Sequence, residues 1–299
     1  MASSDSASLP PNATGSPPPP LGGGNTGGWR LALLARYPWL GYVLPLVVFL
    51  VLTSCEPAPP DRAPADDLAA AGVGADPLNQ AQPQDQTATG WFDLNIPYRA
   101  YPLVYTAKIA LSIAAVFFVW PVYRQFPWRV SWLAFAVGGV GVVLWIGVCH
   151  LGLEHRILPA IGLGSVLGSG QRSAFNPLVE LVGEPAWAYG FLAIRFIGLA
   201  LVVPLIEEFF LRGFLMRACV HENWWSVPFG TVTPLAVLVG TAVPMAMHPA
   251  ELLAALVWFT MVTGLMVATR NIWDCVAAHA TTNLLLGIYV VVWNQWQLM

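Results

Sequence analysis

Long apolar runs recur along the chain, separated by short polar breaks. They lie at about 38–54, 102–121, 131–151, 186–206, 232–247, 250–268 and 274–294, with the fourth continuing as helix to about 218. A helix that crosses the hydrocarbon core needs roughly 20 apolar residues. The pattern therefore predicts an all-α fold, a polytopic membrane helix bundle with about seven transmembrane helices. Sixteen residues at 232–247 make only about 24 Å of helix, so this segment is expected to cross incompletely.

The polar stretches divide the chain. Residues 1–28 are rich in Ser, Pro, Gly and Asn, with Pro17 to Pro20 in a row. They cannot bury a core and are expected to be disordered. Residues 29–152 hold the N-terminal transmembrane helices and an extramembrane loop at 56–97. That loop is acidic: Glu56, Asp61, Asp66, Asp67, Asp76, Asp85 and Asp93 stand against Arg62 alone. Residues 153–185 read as a linker with room for a short interfacial helix, and 186–299 as a helical core.

Composition sharpens the membrane reading. Only 10% of residues are charged, against about 25% in soluble domains. The net charge of −3 leaves no basic patch for nucleic acid. Fourteen Trp suit aromatic belts at both interfaces. The basic residues Arg30, Arg36, Arg124, Arg129, Arg212, Arg217 and Arg270 fall on one side if the N-terminus is cytoplasmic. Cys55, Cys149, Cys219 and Cys275 form no CxxC, so a thiol redox motif or zinc ribbon is not indicated. Cys149 and Cys275 read as packing residues. Leu52-Thr53-Ser54-Cys55 has the look of a lipoprotein signal, but the long polar stretch before it argues against lipidation. Asn12-Ala13-Thr14 is a sequon of the kind met by chance.

The chemistry concentrates in the last third. Glu207 and Glu208 sit in Val202-Val203-Pro204-Leu205-Ile206-Glu207-Glu208-Phe209-Phe210-Leu211-Arg212. Ionisable groups at membrane depth are costly and point to function. Glu208 and Arg212 are four apart and face each other on a helix, which reads as an ionised strut. Glu207 points about 100° away and is the better placed to act as a general base. His279 and Asn283, also four apart, share a face of the last helix, where Ala280 and Thr281 permit close packing. His248 precedes Pro249, which disfavours helix there, so it is expected at a break between two helices and at membrane depth. Glu, two His and Asn are the ingredients of a site that activates water and hydrolyses a bond. Lys108 and Arg195 are expected to snorkel or pair, Glu251 to be a first-turn acid, and His150, His155 and His221 to be interfacial.

This ordered set resembles the CAAX-type prenyl endopeptidase and bacteriocin-processing (CPBP) intramembrane protease family. Its Glu-Glu-x-x-x-Arg motif is met by Glu207, Glu208 and Arg212, and its His-x-x-x-Asn motif by His279 and Asn283. Its Phe-x-x-x-His motif is met by His248, with Pro244 where Phe is usual. The resemblance covers about 186–295. Trp224-Trp225-Ser226-Val227-Pro228-Phe229-Gly230 is most similar to the bacterial, exosortase-associated CAAX prenyl protease-related subgroup. The resemblance implies a multi-pass protein of the bacterial inner membrane. It would be an endopeptidase cutting peptide or membrane-protein substrates near their C-termini, with 186–299 as its catalytic core. Glu207 would activate water with help from His248, His279 and Asn283 would stabilise the oxyanion, and Glu208 with Arg212 would support the helix. A metal-free glutamate base is favoured, with zinc on Glu207, His248 and His279 as the alternative. A non-catalytic binding, immunity or sorting-accessory protein on the same fold is the second reading. A transporter is the third, though no inverted repeat supports it.

Overall fold

Backbone N–H and C=O groups in a bilayer have no water to bond, so apolar runs satisfy them internally as helices. A computed structural model describes residues 28–57, 96–160, 162 and 175–298. The disorder expected for 1–28, the sequon at Asn12 and nearly all of the 56–97 loop lie outside the described residues. All the regular elements described are helical: α1 (Trp29–Arg36), α2 (Leu40–Thr53), α3 (Tyr101–Tyr123), α4 (Trp132–Leu151), α5 (Glu154–Ala160), α6 (Pro177–Glu180), α7 (Pro185–Ala218), α8 (Pro234–Met247), α9 (Leu252–Thr269) and α10 (Ile272–Trp293). The stretch expected as a linker at 153–185 thus carries two short helices.

The helical membrane architecture holds, and each of the seven apolar runs appears as helix among the described residues. Among the described residues, five helices (α3, α4, α7, α9 and α10) are long and apolar enough to cross a membrane. The first span is α1 and α2 bent by 98° at Tyr37-Pro38-Trp39. Proline disfavours helix at the residue before it, which places the bend there. Counting that pair as one gives six. The fourteen residues of α8 reach only about 21 Å and fall short.

The starts of α4 and α10 are locked together, so these helices run in parallel. Asn271 caps α10 by accepting from the Trp273 N–H (3.1 Å) and donates its Nδ2 to the Arg129 carbonyl (2.7 Å). Asp274 accepts from the Ser131 N–H (2.7 Å) and hydroxyl (3.1 Å) at the start of α4. Further along, Gly138 lets the helices touch. A Cβ there would come within 2.6 Å of the Ala278 carbonyl and of Thr281. The close approach expected around Ala280 and Thr281 is therefore made through Thr281 and Ala278. The Thr282 hydroxyl donates across this seam to the Gly138 carbonyl (2.9 Å) and accepts from the Trp258 indole of α9 (3.1 Å).

Aromatic packing fills two cores. One gathers Tyr42, Tyr123, Phe209 and Trp273, the other Trp145, Trp258, Phe259 and Cys275. Phe117, Val143, Leu201, Leu238 and Val292 face outward, as lipid-facing residues do. Trp29, Trp128, Trp132 and Trp293 are exposed at or beside helix ends, where interfacial belts form. Buried Lys108 pairs with Glu56 and lies over the Phe49 and Tyr105 rings. Arg195 donates to the Phe175 carbonyl (2.6 Å). All four cysteines are free thiols, and Cys275 is buried.

Candidate active site

The glutamate pair sits on a six-residue α-helical stretch, Val203–Glu208, between two π-helical stretches, Gly198–Val202 and Phe209–Leu215. Such wide turns within α-helices are frequent at functional sites. The first has a local cause. The Val203 N–H donates to the Gly198 carbonyl, five residues back. Pro204 has no N–H to offer. The Leu199 carbonyl thus loses the donors of both the four- and the five-residue register. Asn283 of α10 supplies the missing bond, its Nδ2 donating to Leu199 O at 3.0 Å.

This accounting is testable. Asn283→Leu leaves a carbonyl unsatisfied and is expected to cost about 1–3 kcal/mol. Pro204→Ala restores an N–H within reach, so the double variant is expected to recover part of the loss in denaturant unfolding. A double variant less stable than Asn283→Leu would refute the accounting.

Glu208 is fully buried and both of its oxygens are engaged. Oε2 accepts from Arg212 Nη1 (2.5 Å), the partner four residues on that the sequence anticipated. Oε1 meets His279 Nδ1 at 3.0 Å, a contact that residue spacing did not suggest. A carboxylate held beside a permanently charged guanidinium is an acceptor only. Nδ1 of His279 therefore carries the proton, and the chemistry of that ring falls to Nε2. Arg212 also donates to the Phe259 carbonyl (3.3 Å), tying α7 to α9.

His248 ends α8 in a non-helical conformation, as its place before Pro249 predicts. Its own N–H goes to the Met245 carbonyl (3.0 Å). The Pro244 carbonyl, left without that helical donor, accepts from His248 Nδ1 (2.8 Å). His248 thus caps its own helix, and here too Nε2 is the other ring nitrogen. Pro244 supplies no ring of the kind the family motif has at that position. The aromatic neighbours of His248 are instead Trp145 and Phe259, with ring centres 5.7 and 5.6 Å away.

Phe259 is the residue that sequence reasoning missed. Its ring centre is also 6.3 Å from that of His279 and 5.8 Å from the Arg212 guanidinium carbon. Trp258 packs on His279 at 4.5 Å. Both lie in an apolar run where every position looks alike, so only the fold singles them out.

Of the site residues read from the sequence, Glu208, Arg212 and His279 are joined directly. His248 and His279 contact the same Phe259 ring. Asn283 binds α7 upstream of the glutamates, and Glu207 is buried on the same turn as Glu208. Glu251, expected as a first-turn acid, is buried in the turn Pro249–Glu251. His150 meets the Tyr289 hydroxyl at 2.7 Å on an exposed face. Among the described residues, no three His, Cys, Asp or Glu side chains gather in a way that could hold a metal ion.

Residues 189–285, roughly a third of the chain, match the family model described as type II CAAX prenyl endopeptidase Rce1-like. The matched segment contains every site residue named above except Trp145. No curated protein and no solved structure matches the chain.

Proposed function

We propose that this protein is a membrane-embedded endopeptidase that hydrolyses peptide bonds near the C-termini of membrane-associated substrates. Its residence would be the bacterial inner membrane, with the N-terminus cytoplasmic and the core at 186–299. The buried Arg212–Glu208–His279 chain beside Glu207, in a segment similar to a protease family, carries the reading. The finer likeness to the exosortase-associated subgroup rests on the Trp224–Gly230 stretch.

In this mechanism Glu207 takes a proton from water as the oxygen attacks the peptide carbonyl. His248 helps to orient that water. The carbonyl oxygen gains charge as the new C–O bond forms. For His279 to donate to that oxygen from Nε2 while Nδ1–H is held by Glu208, both ring nitrogens must carry hydrogen, as in an imidazolium. Asn283 has two amide hydrogens, one of which holds Leu199, so the other is the one to assist. Collapse breaks the C–N bond, and Glu207 returns its proton to the departing amine. Donors fixed in place before charge develops are the larger part of such catalysis. No step uses a metal.

The test uses the full chain in liposomes with C-terminally prenylated peptides, unmodified peptides of the same sequences, and transmembrane peptides, each with and without chelator. New termini would be read by mass spectrometry. Cleavage that persists in chelator is expected. Intact peptides throughout would argue for the binding-protein reading, and loss of cleavage with chelator would overturn the metal-free mechanism.

A further inference from the structure

A second arginine, not used by the mechanism above, is held in a different way. Arg217, near the end of α7, donates through Nε to the Val227 carbonyl (3.0 Å), through Nη1 to Gly213 O (3.1 Å) and through Nη2 to Trp225 O (3.0 Å). Its guanidinium carbon lies 5.6 Å from the centre of the Trp224 ring. These partners are all neutral. The ion pairs of Lys108 with Glu56 and of Glu208 with Arg212 and His279 do not involve Arg217. Arg212 is neutralised by Glu208, whereas Arg217 keeps a buried positive charge.

That charge lines a cavity of about 200 Å³, walled by Tyr42, Gln125, Phe126, Trp224 and Trp225. One water occupies about 30 Å³ in the liquid, so the space holds a polar group of several heavy atoms. The cavity lies where α3 and α7 both end and where α1 crosses them. Exposed Arg36 and Arg124 stand at the same end. This is headgroup level, where Trp rings settle. With its Nε and Nη groups on carbonyls and a further bond to the Tyr42 side chain, Arg217 offers the cavity its fixed positive charge and a remaining Nη hydrogen, which suit a phosphoryl oxygen.

We propose that this cavity is an anion site for the phosphoryl group of a membrane phospholipid. Arg217 is its cation, and the Trp224-Trp225 turn is its wall. The site is separate from the hydrolytic reading and stands without it.

The test uses the full chain in detergent, with ligand retention followed by native mass spectrometry. The probes are a short-chain phosphatidic acid, the matching diacylglycerol without phosphate, and inorganic phosphate. Arg217 is bonded to three carbonyls, so its removal risks misfolding. Two variants at exposed positions of the cavity lining avoid that. Gln125→Glu sets a carboxylate in the cavity, and Ala35→Phe fills its mouth.

Wild type is expected to hold phosphatidic acid at least tenfold more tightly than diacylglycerol. Both variants are expected to lose about tenfold in phosphatidic acid affinity, with diacylglycerol retention unchanged. Displacement by millimolar inorganic phosphate would keep the anion site but make free phosphate its source. Equal retention of the two lipids, or of phosphatidic acid by wild type and both variants, would overturn the proposal.

Discussion

Glu207→Gln is expected to lower peptide cleavage by about 10³-fold, within the usual range for loss of a general base, while the protein stays folded. The reason lies in what its neighbour is doing. Glu208 spends one oxygen on Arg212 and the other on His279, and it is fully buried. A carboxylate whose oxygens already accept two strong bonds is a poor acceptor for a water proton. Glu207, about 100° around the helix, is buried against a different set of neighbours. The glutamine keeps the size and polarity of the side chain and removes only its basicity. Rates are to be compared in liposomes at equal protein, with unfolding midpoints as the control. Unchanged cleavage with an unchanged midpoint would remove Glu207 as the base.

Breaking the strut is expected to have the largest effect on stability. Glu208→Ala strands the buried Arg212 guanidinium, and Arg212→Ala strands the carboxylate together with His279. Each is expected to cost about 3–5 kcal/mol, as removal of one partner of a buried ion pair does. Removing both charges at once, as Glu208→Leu with Arg212→Leu, is expected to cost clearly less than either single change, because no lone charge remains buried. Thermal unfolding of the four proteins in one detergent is the measurement. A double variant less stable than both singles would mean that the pair contributes more than mutual neutralisation. The double variant should also lose cleavage, since His279 would lose the acceptor that orients it.

Local physics made much of this legible in advance. The Glu208–Arg212 pair follows from helical spacing, and the helix break at His248 from the proline after it. The long continuous helix through 218 shows as unbroken hydropathy. Spacing could not show that Glu208 would turn its second oxygen to His279, 71 residues away. That bond depends on how α7 and α10 lie together, where Gly287 lets Phe196 and Leu199 come close. Nor could it show that Asn283 would serve the Leu199 carbonyl, because the vacancy arises from a change of register within α7. One detail of the spans escaped for a plainer reason. Run length already marked 232–247 as too short to cross, as α8 is, but apolar composition does not reveal the 98° bend between α1 and α2.

The wide turns in α7 have a consequence for how this helix tolerates change in length. Each π-helical stretch accommodates about one residue more than the α-helix around it. Deleting a single residue within Gly198–Val202 could therefore be absorbed as an ordinary turn, with the chain still continuous and apolar. It would leave the N-terminal half of α7, with Arg195, in register with Glu207 and Glu208, whereas the same deletion from a regular α-helical turn would swing that half by about 100°. A helical wheel drawn over the whole of α7 misplaces its residues for the same reason. On such a wheel the two halves of the helix show separate phases, and a related chain one residue shorter here would present the glutamates to the same wall with an ordinary turn in place of the wide one.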